Sequence, residues 1–427
     1  MIFPCAATEN RLAALPAMAF WFWTLSVFRF AFALLFFQDH PAAATGVGAA
    51  LSLVFVYSLL LWFLCAKSIR RQTHFPALIN LIAAYCLWCA VSLSWTRAGS
   101  LVSASGYWMS MVLDIAVVAA MIWWGDLEAV AMASVKGIIA GGWLISFCAL
   151  LSTSDDPNGR LGNLEFLHPG KVGEFTGQAA LCSCFMWVRT RKDNGYGRWL
   201  WTGSTLFLTW ILLRSLSKTS MIAFVCSAAV YILFSRLISL KTKIIVLLVA
   251  TMLFCAMYTI VNTYLETYLE ENPGEASTLT GRTLLWAKSW EMIQERPILG
   301  YGFISFRDYG PQDWDVRTVH AHNEWITEWF QLGFVGLIIT IAIYVSYFRH
   351  LRRSVHSPQR ELGLSMLIYM LIQGFAIAEP SGLTFPLPMV LLLATWAKPG
   401  AEAPSTSASR TQSLRSESAS QFLPLRP

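Results

Sequence analysis

The chain has 427 residues, 56% of them hydrophobic and only 13% charged, with a formal net charge of +6. That balance excludes an ordinary soluble enzyme and gives no reason to expect a nucleic-acid partner; it is the profile of a polytopic membrane protein, with membrane lipid as its standing partner. A hydrocarbon core about 30 Å thick needs about 20 apolar residues per helix, and the apolar runs here have that length, so an all-α membrane fold is predicted.

In chain order, about twelve runs qualify. They centre on residues 15–37, 46–66, 75–95, 107–124, 129–151, 175–188, 199–213, 221–235, 244–264, 333–348, 362–378 and 383–397. The first is span-length and lacks a small-residue cleavage site, so no cleavable leader is expected. Lys67, Arg70 and Arg71 follow the second run, and Arg189, Arg191, Lys192 and Arg198 follow the sixth. Arg236, Lys241 and Lys243 follow the eighth, and Arg349, Arg352, Arg353 and Arg360 follow the tenth. Because Lys and Arg resist translocation, these loops, the tail and both termini are assigned to the cytoplasm. The loops 96–106, 152–174, 214–220, 265–332 and 379–382 then lie outside, and only 265–332 is long.

The nine cysteines fall mostly within apolar runs, as small packing residues rather than a disulfide framework. Cys86-Leu-Trp-Cys89 has redox or metal-like spacing but no polar company. Arg29, Asp114 and Lys136 are expensive within spans, and Asp114 and Lys136 lie on neighbouring runs where they could pair.

Chemistry is expected in the long outer loop. In "GRTLLWAKSWEMIQE", residues 281–295, Leu284, Leu285, Trp286, Trp290 and Ile293 recur at helical spacing beside Arg282, Lys288 and Glu291, which predicts an amphipathic helix on the outer membrane face. Pro297, Gly300 and Gly302 break the next stretch. In "VHAHNEWITEWFQLGFVGL", residues 319–337, the segment from Glu324 is predicted to be helical and to run on into the tenth span. An unbroken helix would put His322 about 16 Å above Gly333 at 1.5 Å rise per residue, facing water. Residues two apart on a helix diverge by about 200°, so His320 and His322 could share a metal only from an extended segment. Both could also be ordinary interfacial polar residues.

His322-Asn323, nine residues, Gly333, two residues and Gly336 together resemble the outer-loop signature of the bacterial O-antigen ligase and polymerase family. "GRTLLWAKSWEMIQERPILGYG" is similar to that family's Gly-Arg start, Trp-containing helix and Pro-x-x-Gly-x-Gly turn. "LSKTSMIA", residues 216–223, resembles its Ser-Arg-Thr or Ser-Lys-Thr element. "GRLGNLEFLHPGKVGEF", residues 159–175, resembles its earlier outer loop, with Gly170 where Asn is commoner. Hydropathy, composition and this resemblance together divide the chain into N-terminal helices 1–158, a family core 159–348 with the periplasmic loop 265–332 and its amphipathic helices, C-terminal helices 349–397, and a Ser-rich, Pro-flanked cytoplasmic tail 398–427 expected to be disordered.

The resemblance implies a metal-independent, cofactor-free, inverting glycosyl transfer at the periplasmic face of the bacterial inner membrane. The donor would be a glycan on undecaprenyl diphosphate, and the acceptor a sugar hydroxyl on lipid A core or on a lipid-linked polysaccharide. Arg282, Lys218 and Arg214, basic residues at or just outside span ends, would hold the donor diphosphate, although Lys and Arg also anchor span ends by snorkelling. Lys218 stands where many ligases carry Arg, which puts bidentate phosphate binding there in question; the Ser-Lys-Thr form is familiar among exopolysaccharide polymerases. His322 would take the acceptor proton or orient the acceptor, with Asn323 and Glu324 behind it. A lipid-linked glycan transporter or flippase is the competing class, but its key groups would lie at the midplane, often on broken helices. A pure scaffold would not need several cations and a histidine at one interface.

Overall fold

The computed structural model describes residues 14–36, 50, 53–63, 75–152, 160–162, 168–190, 195–245, 247–248, 251–252, 255, 282–311, 320–375 and 386–398. Expectations for most of the ninth run, for residues 265–281 and for the tail beyond Lys398 lie outside these residues. Among the described residues the architecture is helical: α1 Ala14–Phe36, α2 Leu53–Phe63, α3 Leu78–Ser92 with a 3-10 turn Leu93–Trp95, α4 Leu101–Trp124, α5 Leu127–Leu151, α6 Pro169–Thr190, α7 Tyr196–Arg214, α8 Lys218–Phe234, α9 Arg282–Glu295, the single turn α10 Phe306–Tyr309, α11 Glu324–Arg353, α12 Pro358–Gly374 and α13 Pro386–Trp396.

The apolar runs fold this way because hydrocarbon offers no partner for backbone N–H and C=O groups, and a helix satisfies them internally. Four of the described helices are long and apolar enough to cross a membrane: Leu78–Trp95, α4, α5 and α11. The starts carry caps that the sequence supplies. Ser100 Oγ accepts from Ser103 N–H, Asp126 Oδ1 from Glu128 N–H, and Ser357 Oγ from Arg360 N–H just before Pro358.

Helix α5 is central. It packs on α1, α6 and α7, and Gly137 and Gly141 let the α1 backbone approach closely enough for Thr24 Oγ1 to donate to Gly137 O at 3.1 Å. Helix α6 is buried on nearly every side, including Glu174, Thr176, Gln178 and Ser183. Hydropathy predicts only 175–188 here, because the polar first turns of α6 are covered by protein rather than lipid. Asp114 is buried in α4 and Lys136 exposed on α5, and among the described residues no ion pair joins them. The expected pairing is therefore corrected. Cys86, Cys89, Cys148, Cys182, Cys184 and Cys226 are in no disulfide.

Helix α11 corrects the straight-helix reading. It begins at Glu324, capped by Asn323, and is broken at Gly333, where φ is 66° and ψ −170°. The cause is the Pro297–Gly302 turn, which docks on the break: Phe334 N–H donates to Pro297 O at 2.8 Å, Tyr301 N–H to Phe330 O at 2.9 Å, and Gly302 N–H to Gln331 O at 2.7 Å. Any Cβ on Gly333 would overlap the Ile298 carbonyl. A side chain at such a φ costs about 1–3 kcal/mol before any clash. Gly333→Ala is therefore expected to lower the thermal midpoint of the detergent-purified protein and its yield, whereas Gly203→Ala, at a position open to space, leaves both near wild type.

The two ends of the bundle differ. At one, the segment after α3 binds the long loop: Arg97 N–H donates to Tyr301 O at 2.8 Å, Thr96 Oγ1 to Phe303 O at 2.8 Å, and Gly99 N–H to an Asp308 carboxylate oxygen at 2.8 Å. There too, Leu161 N–H donates to Arg214 O at 3.2 Å. At the other, Glu128 accepts from Arg189 at 2.9 Å and Trp396 Nε1 at 2.6 Å, Glu361 accepts from Arg236 N–H at 3.4 Å, and Val355 N–H donates to Lys398 O at 3.0 Å. Loops grouped as outer meet at the first end, and loops grouped as basic meet at the second.

Candidate active site

Helix α9 and the start of α11 form one unit around a small core of Leu285, Ile293, Tyr301, Phe306, Ala321 and Phe330. Tyr301 stacks on Phe330 with centroids 4.8 Å apart, and its hydroxyl donates to Glu295 Oε2 at 2.8 Å. Burial and that carboxylate push the phenol above its ordinary range. Trp286, one turn after Arg282, donates through Nε1 to Ala321 O at 2.8 Å. The bond ties the helix that carries Arg282 to the segment that carries the histidines.

Neither histidine is helical. Ala321 N–H donates to Thr327 Oγ1 at 3.2 Å, His322 N–H to His320 Nδ1 at 3.1 Å, and the two imidazoles meet edge to face with centroids 4.3 Å apart. Asn323 and Glu324, expected behind His322, are placed otherwise. Asn323 Oδ1 accepts from Ile326 N–H at 3.2 Å as the helix cap. Glu324 turns into the bundle, where Tyr344 donates to it at 3.1 Å and Gly374 packs against it.

The electrostatics define a cationic cluster. Burial first, then Arg282, His168 and Lys171, push His322 down to about 4; burial and His322, Lys171, Arg282 and His168 hold His320 well below its ordinary value. Arg282 is lowered by burial and by Arg160. Lys171 pairs with Glu174 at 2.9 Å, and the Gly170 N–H donates to His168 Nδ1 at 3.0 Å. Concentrated positive charge around a neutral imidazole suits an anionic ligand beside a proton acceptor. Among the described residues, no group of three or more His, Cys, Asp and Glu side chains is arranged to hold a metal ion.

Arg214 and Lys218 lie on either side of the Ser215–Ser217 turn, both exposed. Arg160 Nε donates to Ser215 O at 3.4 Å, and Gly173 leaves no room for a side chain against Ser217. The turn is thus next to the residue that faces Arg282, but among the described residues no contact ties the Arg214 or Lys218 side chain to Arg282 or His322. Sequence reasoning missed Arg160, His168, Lys171 and His320. The first three stand in "GRLGNLEFLHPGKVGEF", where only the pattern was legible; spacing does not show that this loop folds against α9.

The fold and this cluster define a helical membrane protein with a cationic, histidine-bearing site at one end of its bundle. Residues 203–341 match the family described as O-Antigen ligase. A Rickettsia felis protein named as a candidate polysaccharide ligase is 28% identical over 119 residues, 26% of this chain and 28% of that protein. The exopolysaccharide production protein ExoQ of Rhizobium meliloti is 31% identical over 91 residues, 19% of this chain and 21% of that one. The matches therefore span between a fifth and little more than a quarter of these relatives' lengths. They fall short of the whole proteins.

Proposed function

We propose that the chain is a bacterial inner-membrane glycosyltransferase of about twelve spans, with its site on the periplasmic face. It moves a glycan from undecaprenyl diphosphate to a sugar hydroxyl on lipid A core or on another lipid-linked polysaccharide, with inversion and without a metal. The observation that carries this reading is the convergence of Arg282, Lys171 and His168 on His322 and His320, with Arg160 beside Arg282. The family match and the names of the relatives support the polysaccharide class.

The chemistry follows from the charges. The acceptor oxygen attacks the anomeric carbon as the bond from that carbon to the diphosphate oxygen breaks. The electron pair leaves with the diphosphate, whose charge the guanidinium and ammonium groups stabilise. His322 takes the hydroxyl proton, and the resulting imidazolium stands beside the departing anion. Lys218 and Arg214 serve the diphosphate from the neighbouring turn.

Two measurements test the parts. Lys218→Arg should retain most transfer, while Lys218→Ala loses about tenfold in donor affinity; equal losses with donor binding intact would make Lys218 an anchoring residue. In a background without native cysteines, Gln294→Cys and Arg352→Cys, both at exposed positions, should label from the periplasm and the cytoplasm respectively. Labelling of Gln294→Cys from the cytoplasm alone would overturn the orientation.

A further inference from the structure

His322 stands at φ 50° in the left-handed region, a conformation that side-chain-bearing residues adopt only where their surroundings impose it. The surroundings here are specific. Ala321 is clamped on both sides, by Thr327 Oγ1 on its N–H and by Trp286 Nε1 on its carbonyl. Past that clamp, the His322 N–H finds its acceptor in His320 Nδ1 at 3.1 Å, and the two rings pack at 77° to each other. Nδ1 can accept only when it carries no proton, so the neutral ring bears its proton on Nε2.

We propose that His320 is a positioning residue for the transfer: its Nδ1 holds the His322 backbone in the left-handed turn, and its ring sets the plane from which the His322 imidazole takes the acceptor proton. The inference rests on the reading of His322 as the base. It gives a role to His320, which the sequence left as an ordinary interfacial residue or half of a metal pair. The groups that face the pair are Arg282 from α9, His168 and Lys171 at the start of α6, and the two rings themselves. Their positive charge and the burial of His320 disfavour a proton on Nδ1, as the turn requires.

The test uses the full-length protein reconstituted with lipid-linked glycan, reading kcat and donor KM separately. A misplaced catalytic group costs about 100-fold, so His320→Ala and His320→Leu are each expected to lower kcat by about that factor with donor KM unchanged. His320→Asn, whose amide oxygen can stand where Nδ1 stood, recovers most of the rate. Leucine fills the space without an acceptor and serves if the alanine variant does not accumulate. Near-normal kcat in the alanine or leucine variant, or an asparagine variant as slow as they are, would overturn the proposal. His322→Ala run in parallel separates the two claims: full activity there removes the base itself, whereas its loss beside an active His320→Ala removes only the positioning role.

Discussion

His322→Ala in the reconstituted protein is expected to lower glycan transfer by about 100- to 10,000-fold, the usual contribution of a positioned general base, while expression and donor binding should persist. The pH dependence gives a second signature. An isolated imidazole would lose its base form as pH falls through about 6.5, but burial and the charges of Arg282, His168 and Lys171 hold His322 at about 4. Protonation removes the base, so kcat/KM, which reports the free enzyme, should stay level through pH 6 and fall only near 4. A bound diphosphate offsets those positive charges and raises the imidazole, so the acid limb of kcat should lie at higher pH than that of kcat/KM. Coincident limbs near 6.5 would mean that the titrating group is solvated and is not this histidine.

Arg282→Ala is expected to lower kcat/KM for the lipid-linked donor on the order of 100- to 1,000-fold, because a fixed cation acts on both the bound diphosphate and the charge that develops as it leaves. Arg282→Lys should recover only part of this, since an ammonium cannot form the planar two-point contact. The side chain is half-buried beside Arg160, so removing it also relaxes a like-charge contact. A merely structural Arg282 would show the alanine variant unfolding, with a lower thermal midpoint and no specific loss of donor use.

The helical membrane class was legible because composition and run length answer directly to the thickness of the bilayer. The amphipathic helix α9 was legible as well: Leu285 and Ile293 sit in its core face, while Leu284 and Trp290 remain exposed. The start of α6 was not, because Val172, Gly173 and Glu174 are sheltered by protein and a hydropathy scan reads them as loop. Nor was the break in α11. Gly333 sits in an otherwise continuous apolar pattern, and only the docking of residues 297–302 across it shows why a glycine is required. His322 and Arg282 could be named from a motif, but Arg160, His168 and Lys171 enter through tertiary contacts between segments more than a hundred residues apart, and His320 through a local turn that places its ring against His322.

The most direct measurement of the central claim places the purified protein in sealed liposomes with a labelled glycan on undecaprenyl diphosphate and an acceptor glycan, in the presence of EDTA and without an ion gradient. Free undecaprenyl diphosphate and a lengthened acceptor are expected in equal amounts from the wild type, and neither from His322→Ala. Movement of intact lipid-linked glycan between leaflets without cleavage, or transfer that EDTA stops and zinc restores, would contradict it.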